Sequence, residues 1–99
     1  MHIAVSWDIS ADGARHRVID KSMRQALDGF SWVRPLSTFY VVRLHSDADR
    51  ALIRDRLVEV AKGVAEKVHF VVSPVMSGGR YDGYLPSDMW PKVNERSDS

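Results

Sequence analysis

The chain has 99 residues, a length that suits one domain with one modest core. Its 44% hydrophobic content is globular rather than disordered, and without cysteine it has no disulfide framework and no thiolate to bind metal or attack a substrate. The net charge of +1 sets up no bulk field toward nucleic acid. Ten of the fourteen cations are nevertheless Arg, the better side chain for bidentate phosphate contacts.

The opening MHIAVSWDIS has no basic leader followed by a long apolar run, and no stretch reaches the roughly 18 apolar residues of a membrane span. The expectation is a cytoplasmic protein, with which the absence of cysteine agrees.

The first strand is expected from His2 to Asp8, because Ile3, Val5 and Trp7 alternate with Ala4, Ser6 and Asp8 at the period of a pleated strand. A turn at Ser10-Ala11-Asp12-Gly13 leads to a helix from about Ala14 to Asp28. Val18, Ile19, Met23, Ala26 and Leu27 form its apolar stripe, and Gly29 stops it. Two short strands follow, near Ser31 to Arg34 and Thr38 to Leu44, with Pro35-Leu36-Ser37 as the turn of a hairpin. Thr38-Phe39-Tyr40-Val41-Val42 is dense in β-branched and aromatic residues and suits a central position in a sheet.

Ser46 or Asp47 caps a second helix, reaching about Glu66, with Ala48, Leu52, Ile53, Leu57, Val60, Ala61 and Val64 as its buried face. A fourth strand runs from Val68 to Ser73 and ends at Pro74. The order strand, helix, strand, strand, helix, strand is the split βαβ, or ferredoxin-like, pattern: α+β, with two helices on one face of an antiparallel sheet. The other face would carry Tyr40, Val42 and Val71, depending on register. An apolar face on so small a domain favours a homodimer formed by stacked sheets, unless the tail covers it. The core would span residues 1–74 of one domain, and 75–99 a docking extension. In the tail, Tyr81, Tyr84, Leu85, Met89 and Trp90 are too many large apolar groups to stay free, and Pro86 with Ser87 opens a last helix to about Glu95.

Among residues able to carry chemistry, Asp8 comes first. A carboxylate ending a central strand beside a helix start suits Mg²⁺ or Mn²⁺, which take hard oxygen ligands and water. Two copies of Asp8 meeting across a dimer would share one ion that activates water against a phosphodiester. On residue chemistry alone the plainer reading of Asp8 is a cap of the following turn or the partner of a neighbouring Arg. Arg15, His16 and Arg17 open the first helix and would hold a phosphate near that metal, or form an ordinary solvated face; His16 would also serve as acid or base. His2, His16, His45 and His69 match no zinc spacing, and His69 reads as a cross-strand neighbour rather than a ligand. Ser37-Thr38 reads as a turn, and Ser77-Gly78-Gly79-Arg80 as a connector rather than a phosphate cradle. The Trp and Tyr residues suit core and docking roles better than base stacking. No small-molecule cofactor is evident.

Trp7-Asp8-Ile9-Ser10, Arg15, Arg17-Val18 and Ser37-Thr38-Phe39 resemble the corresponding motifs of the small CRISPR-associated subunit of the spacer-integration complex and of virulence-associated protein D. The chain is more similar to small bacterial proteins of the SinR family (not the sporulation regulator of similar name). The resemblance lies in Trp32, Ser37-Thr38-Phe39, Gly83-Tyr84-Leu85-Pro86, Trp90 and Asn94, and spans nearly the whole chain. It implies a ferredoxin-like homodimer, with Asp8 as the metal-site and catalytic aspartate, Arg15, Arg17 and Ser37 on nucleic acid, and metal-dependent endonuclease activity on RNA or DNA. The tail departs from that of the integration subunit, and members differ in whether they cleave anything, so the fold carries over more safely than the activity. The alternatives are a non-catalytic dimeric scaffold for nucleic acid or protein, and a toxin–antitoxin component.

Overall fold

The computed structural model describes residues 1–73 and 85–97. In chain order the elements are β1 (His2–Ile9), α1 (Gly13–Gln25), β2 (Ser31–Leu36), β3 (Phe39–Arg43), α2 (Ala48–Lys62), β4 (Val68–Ser73) and α3 (Met89–Ser97). The strands form one antiparallel sheet in the order β2-β3-β1-β4, so β2 and β4 are its edges. This is an α+β domain with a four-stranded antiparallel sheet and three helices, an arrangement compatible with the ferredoxin-like one. No described helix is long and apolar enough to cross a membrane.

Period-two patterning divides the sheet into two faces. Ile3, Val5, Trp7 and Ile9 of β1 lie with Tyr40 and Val42 of β3 in one core, closed by Ile19 and Met23 of α1 and by Ile53 and Leu57 of α2. Each of these large side chains stabilises the fold by about 1.5–3 kcal/mol on burial. Tyr40 and Val42, expected on the second face, therefore belong to the helix side. Val71 does lie on the second face, and it is 66% exposed. The register explains the outcome, because Val5 pairs with Tyr40 and Ile3 with Val42, each carrying its partner into the same layer.

The second face has a small core of its own. Val33 and Val41 are buried under Val93, with Phe39, Leu85 and Met89 packed around them. The described part of the tail thus docks on the β2–β3 half through α3, while Ser77-Gly78-Gly79-Arg80, Tyr81 and Tyr84 lie outside the described residues.

Several boundaries differ from the sequence expectation. Helix α1 stops at Gln25 because the next amides tighten onto carbonyls three residues back: Ala26 to Met23, Leu27 to Arg24 and Asp28 to Gln25. Gly29 then turns the chain at φ +91°, and Arg56 of α2 donates to the carbonyls of Ala26 and Asp28. Helix α2 ends at Lys62, with Gly63 as its cap. Asp47 stands at the N-cap of α2, as expected, but makes no side-chain cap hydrogen bond; Asp49 in the first turn instead reaches back to accept the backbone N–H groups of His45 at 2.9 Å and Ser46 at 3.0 Å. Pro35 lies within β2 rather than in the turn, at a register irregularity between Val33 and Leu36 on an edge strand, where its missing N–H is tolerated. Val18 and Leu52, read as buried, are 53% and 43% exposed.

One buried polar network ties these layers together. Asp20 occupies the core side of α1, and its Oδ1 accepts the Trp7 indole N–H at 3.0 Å. Its Oδ2 lies 3.2 Å from Arg24 Nε and 3.8 Å from Arg34 Nη1. Arg34 also donates two hydrogen bonds to the Ser37 carbonyl, at 2.8 and 3.2 Å, and sits over the Tyr40 ring. Trp7 stacks on Tyr40, whose other neighbour is the edge of Trp32. Burial and the nearby Asp20 carboxylate push the Tyr40 hydroxyl up to about 12.

Candidate functional site

The half of the second face that α3 leaves uncovered belongs to β1 and β4. There Asp8 pairs directly with His69, and Ser6 with Val71. Asp8 projects to this side because Trp7 and Ile9, its neighbours along the pleat, are held in the helix-side core. Ser6, Asp8, Thr38, His69 and Val71 line one shallow depression of about 420 Å³. All five are exposed.

Thr38 reaches this depression because the hairpin turn is Ser37-Thr38. Arg34 fixes that turn: it grips the Ser37 carbonyl and is itself held near Asp20, the carboxylate that accepts from Trp7. One network therefore positions both the β1 strand that carries Asp8 and the turn beside it. Ser37 itself is exposed at the turn, next to Thr38.

Arg15 and Arg17 are placed differently. Both stand on α1, in the layer on the other side of the sheet from the Asp8 side chain, so nearness in sequence does not gather them around it. Arg15 forms a two-pronged pair with Glu66, Nε to Oε2 at 2.7 Å and Nη2 to Oε1 at 3.0 Å. The Arg15 hydrogen bond holds the Glu66 carboxyl down at about 2, and Glu66 in turn raises Arg15. Arg17 is exposed on the same helix. His16 is also on α1 and exposed, on the layer away from Asp8.

For a hard divalent cation, one chain supplies the Asp8 carboxylate, with the Ser6 and Thr38 hydroxyls and the His69 imidazole in the same depression. Among the described residues no group of three or more His, Asp or Glu side chains comes together to hold a metal. Asp8 is the one carboxylate among the described residues lining the depression, and such a donor set suits an ion that keeps most of its water.

Sequence reasoning missed Ser6, Thr38 and His69 as a group. The signal for Ser6 was present, since it lies two residues from Asp8 on the same strand face. His69 was read as a cross-strand neighbour, which it is; its partner is Asp8, and no spacing along the chain reveals that pairing. Comparison with family models, with curated proteins and with solved structures gives no match to this chain.

Proposed function

We propose that this chain is a ferredoxin-like, dimeric, nucleic-acid-directed protein of the cytoplasm that hydrolyses phosphodiesters of RNA or DNA with Mg²⁺ or Mn²⁺ on Asp8. The observation that carries the reading is an exposed carboxylate in the depression of the sheet half that α3 leaves uncovered, beside two hydroxyls and an imidazole. The element order and the strand order β2-β3-β1-β4 support the ferredoxin-like assignment. The exposed Val71 and the absence of a described helix over this half support a second copy as its cover.

In a symmetric pair meeting on this face, the two copies of Asp8 would hold a hard cation, which would supply water activation and charge neutralisation on the phosphate. The chain's own residues hold the rest of the arrangement: Thr38 and Ser37 at the turn offer hydroxyls to a backbone phosphate, and Arg17, exposed on α1 in the other layer, offers a more distant phosphate contact.

The test compares wild type and Asp8→Asn on labelled RNA and duplex DNA, with Mg²⁺, with Mn²⁺ and with chelator. The expected result is cleavage by wild type alone, abolished by chelator, with unchanged thermal stability in the variant. Equal cleavage by Asp8→Asn sinks the reading. The absence of a three-ligand group among the described residues favours a second reading, a non-catalytic dimeric scaffold; it predicts salt-sensitive binding by wild type with no cleavage.

A further inference from the structure

We propose that Asp8 and His69 form a cross-strand metal site that takes a nitrogen-accepting divalent cation, such as Mn²⁺, Co²⁺, Ni²⁺ or Zn²⁺, in preference to Mg²⁺. The inference rests on the reading of Asp8 as a metal ligand and deepens it by naming a second ligand and the class of ion.

The two residues are directly opposed on antiparallel strands. Opposed residues on one face hold their Cβ atoms about 4.5–5.5 Å apart. One ion bound at about 2.0–2.2 Å from each donor spans that gap. Both side chains are exposed and line the same depression, so neither has to leave a core to bind. Their backbones are fixed by the β1–β4 ladder, which runs from Ala4–Ser73 to Ile9–Val68, so little order is lost on chelation.

The donor chemistry decides the ion. One oxygen and one imidazole nitrogen make a mixed set. Mg²⁺ favours oxygen ligands and keeps its water, whereas imidazole suits the later first-row ions, with affinity rising from Mn²⁺ through Co²⁺ to Ni²⁺. Two copies meeting on this face would present two carboxylates and two imidazoles, and the ion would then strengthen the pairing by mass action.

The experiment titrates the full chain with Ni²⁺, Co²⁺ and Mg²⁺ by calorimetry and follows the ring signals of the four histidines by NMR as substoichiometric Mn²⁺ is added. Wild type should bind Ni²⁺ at least about tenfold more tightly than Mg²⁺, and His69 should broaden before His2, His16 and His45. His69→Ala should weaken Ni²⁺ binding by about tenfold or more, and Val18→Ala, exposed on α1 in the other layer, should leave it unchanged. Circular dichroism checks that the variants fold, and the wild-type NMR result stands whether or not they do. Equal Ni²⁺ affinity in folded His69→Ala, equal affinity of wild type for Ni²⁺ and Mg²⁺, or broadening of another histidine first overturns the site. Asp8-dependent cleavage by wild type, together with unchanged Ni²⁺ affinity in folded His69→Ala, overturns the site and leaves the proposed function standing. A wild type that binds Ni²⁺ through His69 but cleaves nothing overturns the proposed function and leaves the site.

Discussion

The two faces of the sheet are built on opposite terms. The helix side is closed by two helices over a continuous apolar layer, and even its carboxylate, Asp20, is matched by an indole N–H and two guanidinium groups. Among the described residues the other side is closed over its β2–β3 half, by α3 on Val33 and Val41. Its remaining half keeps a carboxylate, an imidazole and two hydroxyls in water. An acidic group is thus structural on one face and available on the other. The difference lies in what the neighbouring strands and helices bring to it, not in the residue type.

The sharpest break in that comparison is a cavity on each side. Leu57→Ala opens a hole under the helix layer and should cost about 2–5 kcal/mol, read by chemical denaturation. Val93→Ala, beneath α3, removes two methyl groups from a smaller cluster and should cost about 1–2 kcal/mol. A larger loss from Val93→Ala than from Leu57→Ala would mean that α3 is as much a part of the main core as α2. Between them stands Asp20→Ala, which leaves the Trp7 N–H without its acceptor and Arg24 and Arg34 without their counter-charge. Because the arginine side chains are 38% and 33% exposed, water takes over part of that role. The loss should be about 2–3 kcal/mol, below the 3–5 kcal/mol of a fully buried pair, and Asp8→Ala should cost within about 0.5 kcal/mol.

This contrast also marks how far the sequence could be read. Strand β1 was legible because its alternation is local, and so was the face on which Asp8 stands relative to Trp7. The order of the six core elements was legible from periodicity and turn residues. Asp20 was not, because an acid beside Ile19 reads as the solvent edge of a helix. It is buried only because Trp7 and Arg34 converge on it from two strands. The side of Tyr40 and Val42 was misplaced for a related reason: one residue of register exchanges the faces, and register is set by strand pairing. Asp8 and His69 come together through the same long-range pairing. Arg15 shows the reverse error. It lies close to Asp8 along the chain, yet its guanidinium faces Glu66 in the helix layer.

The smallest effect sharpens that last point. Glu66 is depressed in the folded chain, to about 2 from an ordinary 4.5, chiefly by its hydrogen bond to Arg15. A carboxyl lowered by folding contributes stability that is fully present above about pH 4.5 and is lost as pH falls toward 2. The pair is solvent-exposed, so the contribution is small and fades with salt. Glu66→Gln should therefore lower stability slightly near pH 7 and converge with wild type as pH falls toward 2, flattening the acid limb of the stability curve, measured by denaturation across pH. It also releases Arg15. If the sheet separates Arg15 from the Asp8 depression, that release changes neither metal binding at Asp8 nor any cleavage that depends on it. A gain in either on freeing Arg15 would show that the two faces communicate around the end of β1, and the division between a sealed side and a working side would fail there.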